Sequence, residues 1–186
     1  MAFRVLLLLS IAFAVQAAEV SGIKIDDKTA LENSSLNLNG AGLRKRAFFS
    51  VYVIGLYLPE KKTAAADAIG APGAKRVAIH MMRDVDAAQF VDALRDGMKD
   101  NLNEAEMKRL EPQIAELSGT MSQIKVAKTG MRITLDWLPG KGTQLTVEGK
   151  PAGAPIAGED FYRGLLRIWL GDNPVQGDLR KALLGG

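Results

Sequence analysis

Three cations in succession, Arg44, Lys45 and Arg46, precede Tyr52 in the stretch RKRAFFSVYVIGLYL, which runs from Arg44 to Leu58. A guanidinium presents a planar fork of donors and a phenol adds one more, so together they could hold a carboxylate in an apolar cleft. On an extended strand, residues of equal parity share a face, which puts Arg44, Arg46, Phe48, Ser50, Tyr52, Ile54 and Leu56 on one side. A straight strand would hold Arg44 about 26 Å and Arg46 about 20 Å from Tyr52. The groups meet only if the chain turns between them. A plainer reading is that the basic triplet guards an edge strand against aggregation and Tyr52 is half-buried packing. Periodicity alone favours the plainer one.

Little else in the chain offers chemistry. The one histidine, His80, sits in the apolar run RVAIHMM, where a packed strand residue is the ordinary reading, because a general base needs a second group to orient it. There is no cysteine to act as a nucleophile, and one histidine without cysteine does not make a zinc site. The segment NGAG at Asn39 to Gly42 lacks phosphate-cradling spacing and reads as backbone flexibility at a strand bend. Asp26, Asp27 and the acids around Asp92 read as solvated faces. No catalytic residue, metal or cofactor is expected.

The first residues combine one cation, Arg4, an apolar run to Val15 and small residues ending at Ala17, the pattern of a cleaved signal peptide over residues 1–17. The run is too short to span a hydrocarbon core, which takes about 20 apolar residues, and no second span follows. Residues 18–186 are then expected to form one domain in a bacterial periplasm, relying on its core because it has no cysteine to pair. Cleavage would remove Arg4 alone among the charged residues, leaving 23 basic against 21 acidic side chains, a net +2. That near balance argues against a nucleic-acid partner.

The elements must therefore supply the geometry. Val20 to Ile25, Ser35 to Leu43, Ala47 to Leu58 and Lys75 to Met82 read as strands, with Pro59 ending the third. Ala87, Val91, Leu94 and Met98 recur at helical spacing after Asp84 or Asp86 as a cap. Asn103 and Glu106 form a capping box ahead of a second helix, where Pro112 predicts a kink or restart. Ser122 to Lys150 reads as three short strands in a meander, Gly158 to Gly171 as a helix, and the tail from Asp178 as another. Strands with helices grouped in the middle and at the end give an α+β domain, helices covering one face of an antiparallel sheet.

The wording LNGAGLRKRAFFSVYVIGLYLPE, with FVDALRDGM on a helix and GEDFYRGLLRIWLGDNPV near the end, resembles the chalcone isomerase-like family, in particular its exported bacterial branch. The resemblance runs from about Gly22 to Leu184 and is most specific at GAGLR and VYVIGLYL. It implies an open-faced β-sandwich, a long antiparallel sheet with helices on one side and a ligand cleft between them. In plant chalcone isomerases such a cleft adds a phenolate to an enone; in the related plastid fatty-acid-binding proteins an arginine and a tyrosine hold a carboxylate. By that resemblance Arg44 matches the arginine, and Tyr52 stands where the isomerase has threonine and the fatty-acid binder has tyrosine. Phe90 falls on the family's helix tyrosine, Gly97 on its asparagine, and Tyr162 on or near a hydroxyl position by the last helix. Phe90 and Gly97 lack the polar groups expected to orient a phenolic substrate, and a lost donor of that kind costs orders of magnitude in rate. The chain is also shorter between Arg44 and Tyr52 than its plant relatives, so Arg46 could take the place of Arg44.

The expectation is thus a non-catalytic periplasmic protein holding a fatty acid or similar amphipathic carboxylate. Arg44 or Arg46 and Tyr52 would meet the head group, with Phe48, Ile54, Phe90 and Leu94 around the tail. Two alternatives stand beside it: an isomerase or intramolecular lyase acting on an enone or lipid, and a ligand-free module assisting an envelope enzyme.

Overall fold

The structure, a computed structural model, describes residues 18–186. The leader expected over residues 1–17 lies outside them.

The described chain opens with a hairpin, β1 (Ala18–Val20) and β2 (Ile23–Ile25), then runs through β3 (Lys28–Leu31), β4 (Ser34–Arg46) and β5 (Phe49–Leu58). A short helix α1 (Ala65–Ile69) leads to β6 (Lys75–Met81), and β7 (Val85–Asp86) to the helices α2 (Ala87–Lys99) and α3 (Glu104–Gln123). After β8 (Val126–Ala127), which pairs with β7, come β9 (Arg132–Leu138), β10 (Gly142–Val147), β11 (Lys150–Ile156), α4 (Glu159–Leu170) and α5 (Gly177–Leu183). Seven strands make one sheet in the order β11-β10-β9-β6-β5-β4-β3, every neighbouring pair antiparallel.

Strand periodicity separates two apolar layers. Tyr52, Ile54, Leu56 and Leu58 of β5 join the main core with Met98 of α2, Ile114 of α3 and Phe161 of α4. Val53 and Tyr57 point the other way, into a smaller cluster with Ile25, Leu36 and Leu38 beside the β1–β2 hairpin. The helices therefore cover one face of the sheet and the hairpin shields part of the other, an α+β arrangement.

Several elements differ from the reading of the sequence. Val20 to Ile25 is not one strand: Ser21 and Gly22 take positive φ (51° and 82°) and fold it into the β1–β2 hairpin. Ala47 likewise turns at φ 52°, so the strand expected from Ala47 begins at Phe49. α3 runs unbroken through Pro112, without the expected restart. Asp86 is the N-cap of α2 but makes no side-chain capping bond, whereas the capping box of Asn103 and Glu106 is formed. A further strand, β11, follows the expected meander; its prolines, Pro151 and Pro155, disfavour strand and are tolerated since β11 is an edge.

NGAG does lie at an irregularity of its strand, where the β4–β5 register shifts between Leu38 and Gly40, and its glycines have a packing role as well. Gly40 and Gly42 lie in β4 on the face that α5 crosses, and a Cβ on Gly42 would stand 2.7 Å from Leu179 Cδ1. The bare backbone lets the last helix lie on the strand. Asn39 fastens it there, donating from Nδ2 to the Leu183 carbonyl at 2.7 Å.

Candidate functional site

The turn at Ala47 and Phe48 folds the basic triplet back over β5. In the resulting register Arg44 pairs with Tyr52, then a bulge shifts the ladder so that Lys45 meets Ser50 and Arg46 meets Phe49. Directly opposed residues of an antiparallel pair share a face with Cβ atoms about 5 Å apart. The 26 Å of a straight strand is thereby abolished. β4 has no strand outside it here; Gln176 instead completes its edge, accepting from Lys45 N at 2.8 Å and donating to the Leu43 carbonyl at 3.2 Å. Gln176 Oε1 also lies 3.4 Å from Arg44 Nη1, and the same guanidinium donates to the Lys45 carbonyl.

Arg44 and Tyr52 open onto a cavity of about 920 Å³ between the sheet and helices α2, α3 and α4. Its floor crosses the sheet from Tyr52 through Ile79 of β6 and Ile133 of β9 to Leu145 of β10. Four inter-strand steps, from β4 to β10, span about 19 Å. The roof is Phe90, Leu94 and Gly97 of α2, Leu117 and Met121 of α3, and Ile168 and Trp169 of α4. Arg46, Phe49 and Arg83 stand at the mouth, with Asp92 and Asp96 of α2, and Asp100 just after it, on the opposite bank.

Tyr52 is the polar centre of this space. Trp169 Nε1 donates to its hydroxyl oxygen at 3.0 Å, so the hydroxyl accepts from the protein while its own proton has no partner among the described residues. Burial raises the Tyr52 pKa; the Trp169 bond and the Arg44 charge oppose that shift without cancelling it. Tyr52 thus stays a neutral donor. Phe90 stacks on its ring with centroids 6.4 Å apart, fixing the phenol's direction.

Of the residues expected at a ligand, Arg44, Arg46, Tyr52, Phe90, Leu94 and Gly97 line the cavity together. Three do not. Phe48 occupies the tip of the β4–β5 turn and is 100% exposed, because the turn removes it from the strand parity that would have placed it beside Tyr52. Ile54 is fully buried in the sheet–helix core without reaching the cavity. Tyr162 is also buried in that core, tilted against Trp137, with its hydroxyl donating to the Leu135 carbonyl at 2.9 Å. Gly97 has a packing reason: a Cβ there would stand 2.8 Å from Ile168 Cγ2, so the position lets α2 close on α4 and leaves no room for an asparagine side chain.

Trp169 lies in the helix read from Gly158 to Gly171 and was not among the residues expected at a ligand. A tryptophan N–H seeks a partner when buried, and that preference was the available signal for its role beside Tyr52. His80 pairs with Val53 and Arg132 on the sheet face away from the helices and does not line this cavity. Among the described residues no cluster of side chains could hold a metal ion, and no helix is long and apolar enough to cross a membrane.

The family profile described as chalcone isomerase-like matches residues 17–185. The chain belongs to the chalcone isomerase-like family. A solved structure of a fatty-acid binding protein from Arabidopsis thaliana superposes with a TM-score of 0.67 at 14% identity, over 88% of this chain and 92% of that one. At that identity the likeness is one of fold: the seven-stranded antiparallel sheet with its helices is the chalcone isomerase-like architecture. No curated protein matches the sequence.

Proposed function

We propose that the protein binds a fatty acid or similar amphipathic carboxylate, with the head group between Arg44 and Tyr52 and the tail along the sheet toward Leu145. The observation that carries this reading is the Tyr52 hydroxyl, which accepts from Trp169 and so keeps its own proton for a ligand beside the Arg44 guanidinium. A carboxylate accepts from both at once, and the bonds to it are charge-assisted. The apolar floor and roof supply the rest, at about 0.8 kcal/mol per buried methylene. The fatty-acid binding protein of the same fold supports the ligand class by analogy.

The role is one of binding rather than catalysis. Phe90 and Gly97 present a ring and bare backbone to the cavity, so the polar groups that would steer a phenolate toward an enone are missing from those positions. We further propose that the protein acts in the bacterial periplasm after removal of residues 1–17, carrying its ligand to or from an envelope enzyme. Titration calorimetry with palmitate tests the ligand: micromolar or tighter binding is expected, and no heat with any long-chain carboxylate sinks the reading. Conversion of naringenin chalcone faster than in buffer would restore the isomerase.

A further inference from the structure

The β4–β5 hairpin tip has a surface that the cavity does not explain. Phe48 is 100% exposed and Phe49 is 59% exposed, and they are the large hydrophobic residues left in solvent among the described residues. Adjacent exposed aromatics at the end of a hairpin mark a contact surface rather than ordinary scatter. Their surroundings are cationic: Lys45 and Arg46 precede them, and Arg83 lies over the Phe49 ring with Cζ 4.6 Å from its centroid. No acidic residue occurs anywhere from Arg44 to Leu58. The acids of the mouth, Asp92, Asp96 and Asp100, are across the opening, on α2 and at its C-terminal end.

We propose that this tip docks on an anionic lipid surface, with Phe48 entering between headgroups and Lys45, Arg46 and Arg83 meeting lipid phosphates. Stable attachment to a bilayer generally needs two signals, and an aromatic wedge with a basic collar supplies both. The carboxylates of α2 prevent the whole rim from lying flat on such a surface, so the tip alone makes contact. Arg46, Phe49 and Arg83 also edge the cavity, so a docked tip turns the mouth toward the membrane. Docking stands on the tip's own residues; its use for passing a ligand between bilayer and cavity rests on the lipid-binding reading above.

Co-sedimentation of the purified protein with vesicles of phosphatidylcholine alone, or mixed with phosphatidylglycerol, reads the docking directly. Binding to the anionic vesicles is expected, weakened about tenfold by Phe48→Ser and roughly fivefold by Lys45→Ala, and suppressed by high salt. Neither residue lines the cavity, so palmitate titration of the same variants should match the unmodified protein. Protein that stays in the supernatant with anionic vesicles, or a Phe48→Ser variant that sediments like the parent, overturns the proposal. If a photo-crosslinker at position 48 captures a protein while vesicles are ignored, the tip is a protein-docking surface instead. Palmitate bound without vesicles rejects the docking alone, whereas vesicles bound without palmitate support docking and reject the cavity's ligand.

Discussion

Trp169 Nε1 and the Tyr52 hydroxyl, 117 residues apart in sequence, are 3.0 Å apart in the core, and the tryptophan is the donor. Because an indole N–H cannot accept, the direction of that bond is set, and it decides what Tyr52 can offer to the cavity. Replacing Tyr52 with phenylalanine should remove the ligand's donor and strand the buried indole N–H together. A stability loss of about 1–3 kcal/mol is expected from the orphaned donor, with weaker palmitate binding. Trp169→Phe separates the effects: the tyrosine keeps its proton, so ligand affinity should fall less than in Tyr52→Phe. Denaturant unfolding and calorimetry on the two variants read both quantities, and equal affinity losses would reject the assigned donor role.

Arg44 and Arg46 both edge the cavity, but only Arg44 stands across from Tyr52. A charged hydrogen bond to a carboxylate is worth about 1.5–3 kcal/mol, or roughly tenfold and more in affinity. Arg44→Ala is therefore expected to weaken palmitate binding at least tenfold, and Arg46→Ala by much less, since its side chain lies in solvent at the mouth. Calorimetry showing the reverse order would move the head group outward to Arg46.

Gly97 tests a different part of the site. With Ile168 Cγ2 only 2.8 Å from where a Cβ would stand, and that methyl attached to a branched carbon, alanine cannot be admitted by a simple swing of the side chain. Gly97→Ala should cost about 1–3 kcal/mol, as overpacking does, by wedging α2 from α4. In an Ile168→Ala background, which lacks both γ carbons, Gly97→Ala should cost less in thermal unfolding than it does alone; an equal cost would place the strain elsewhere.

Much of the fold was readable because its signals are local. The β-branched and aromatic run of β5, the helical stripe of α2 and the Asn103–Glu106 capping box each follow from spacing within a few residues. The site was readable only in part. Arg44 and Tyr52 were identifiable as a pair, but their opposition depends on a turn at Ala47 and Phe48, residues without turn chemistry, one of which adopts the left-handed region that non-glycine residues seldom occupy. That turn also carried Phe48 away from the face its parity assigned. Tyr162 illustrates a second limit: the resemblance assigned it a hydroxyl position by the last helix, but helical spacing does not say which residues adjoin empty space, and it is Trp169 of the same helix that reaches the cavity.

Acid should loosen the rim before the core. Asp84 precedes β7 and accepts from Lys128 Nζ at 2.8 Å, Thr129 N at 2.8 Å and Thr129 Oγ1 at 3.0 Å, tying the entry to α2 to the turn after β8. The bond from Lys128 and those from Thr129 lower its pKa from an ordinary 3.8 to about 2. A carboxylate with a depressed folded-state pKa binds fewer protons folded than unfolded, so its contribution is complete above about pH 4 and disappears as the pH falls toward 2. Asp84→Asn should consequently lower stability at neutral pH and flatten the acid limb in that window. Val85 and Ala127, which flank this tie, also line the cavity, so amide exchange in β7 and β8 should rise at acid pH ahead of exchange in β5 and β6. Simultaneous exchange in all four strands, or an Asp84→Asn protein with an unchanged acid limb, would show that this tie does not hold the rim.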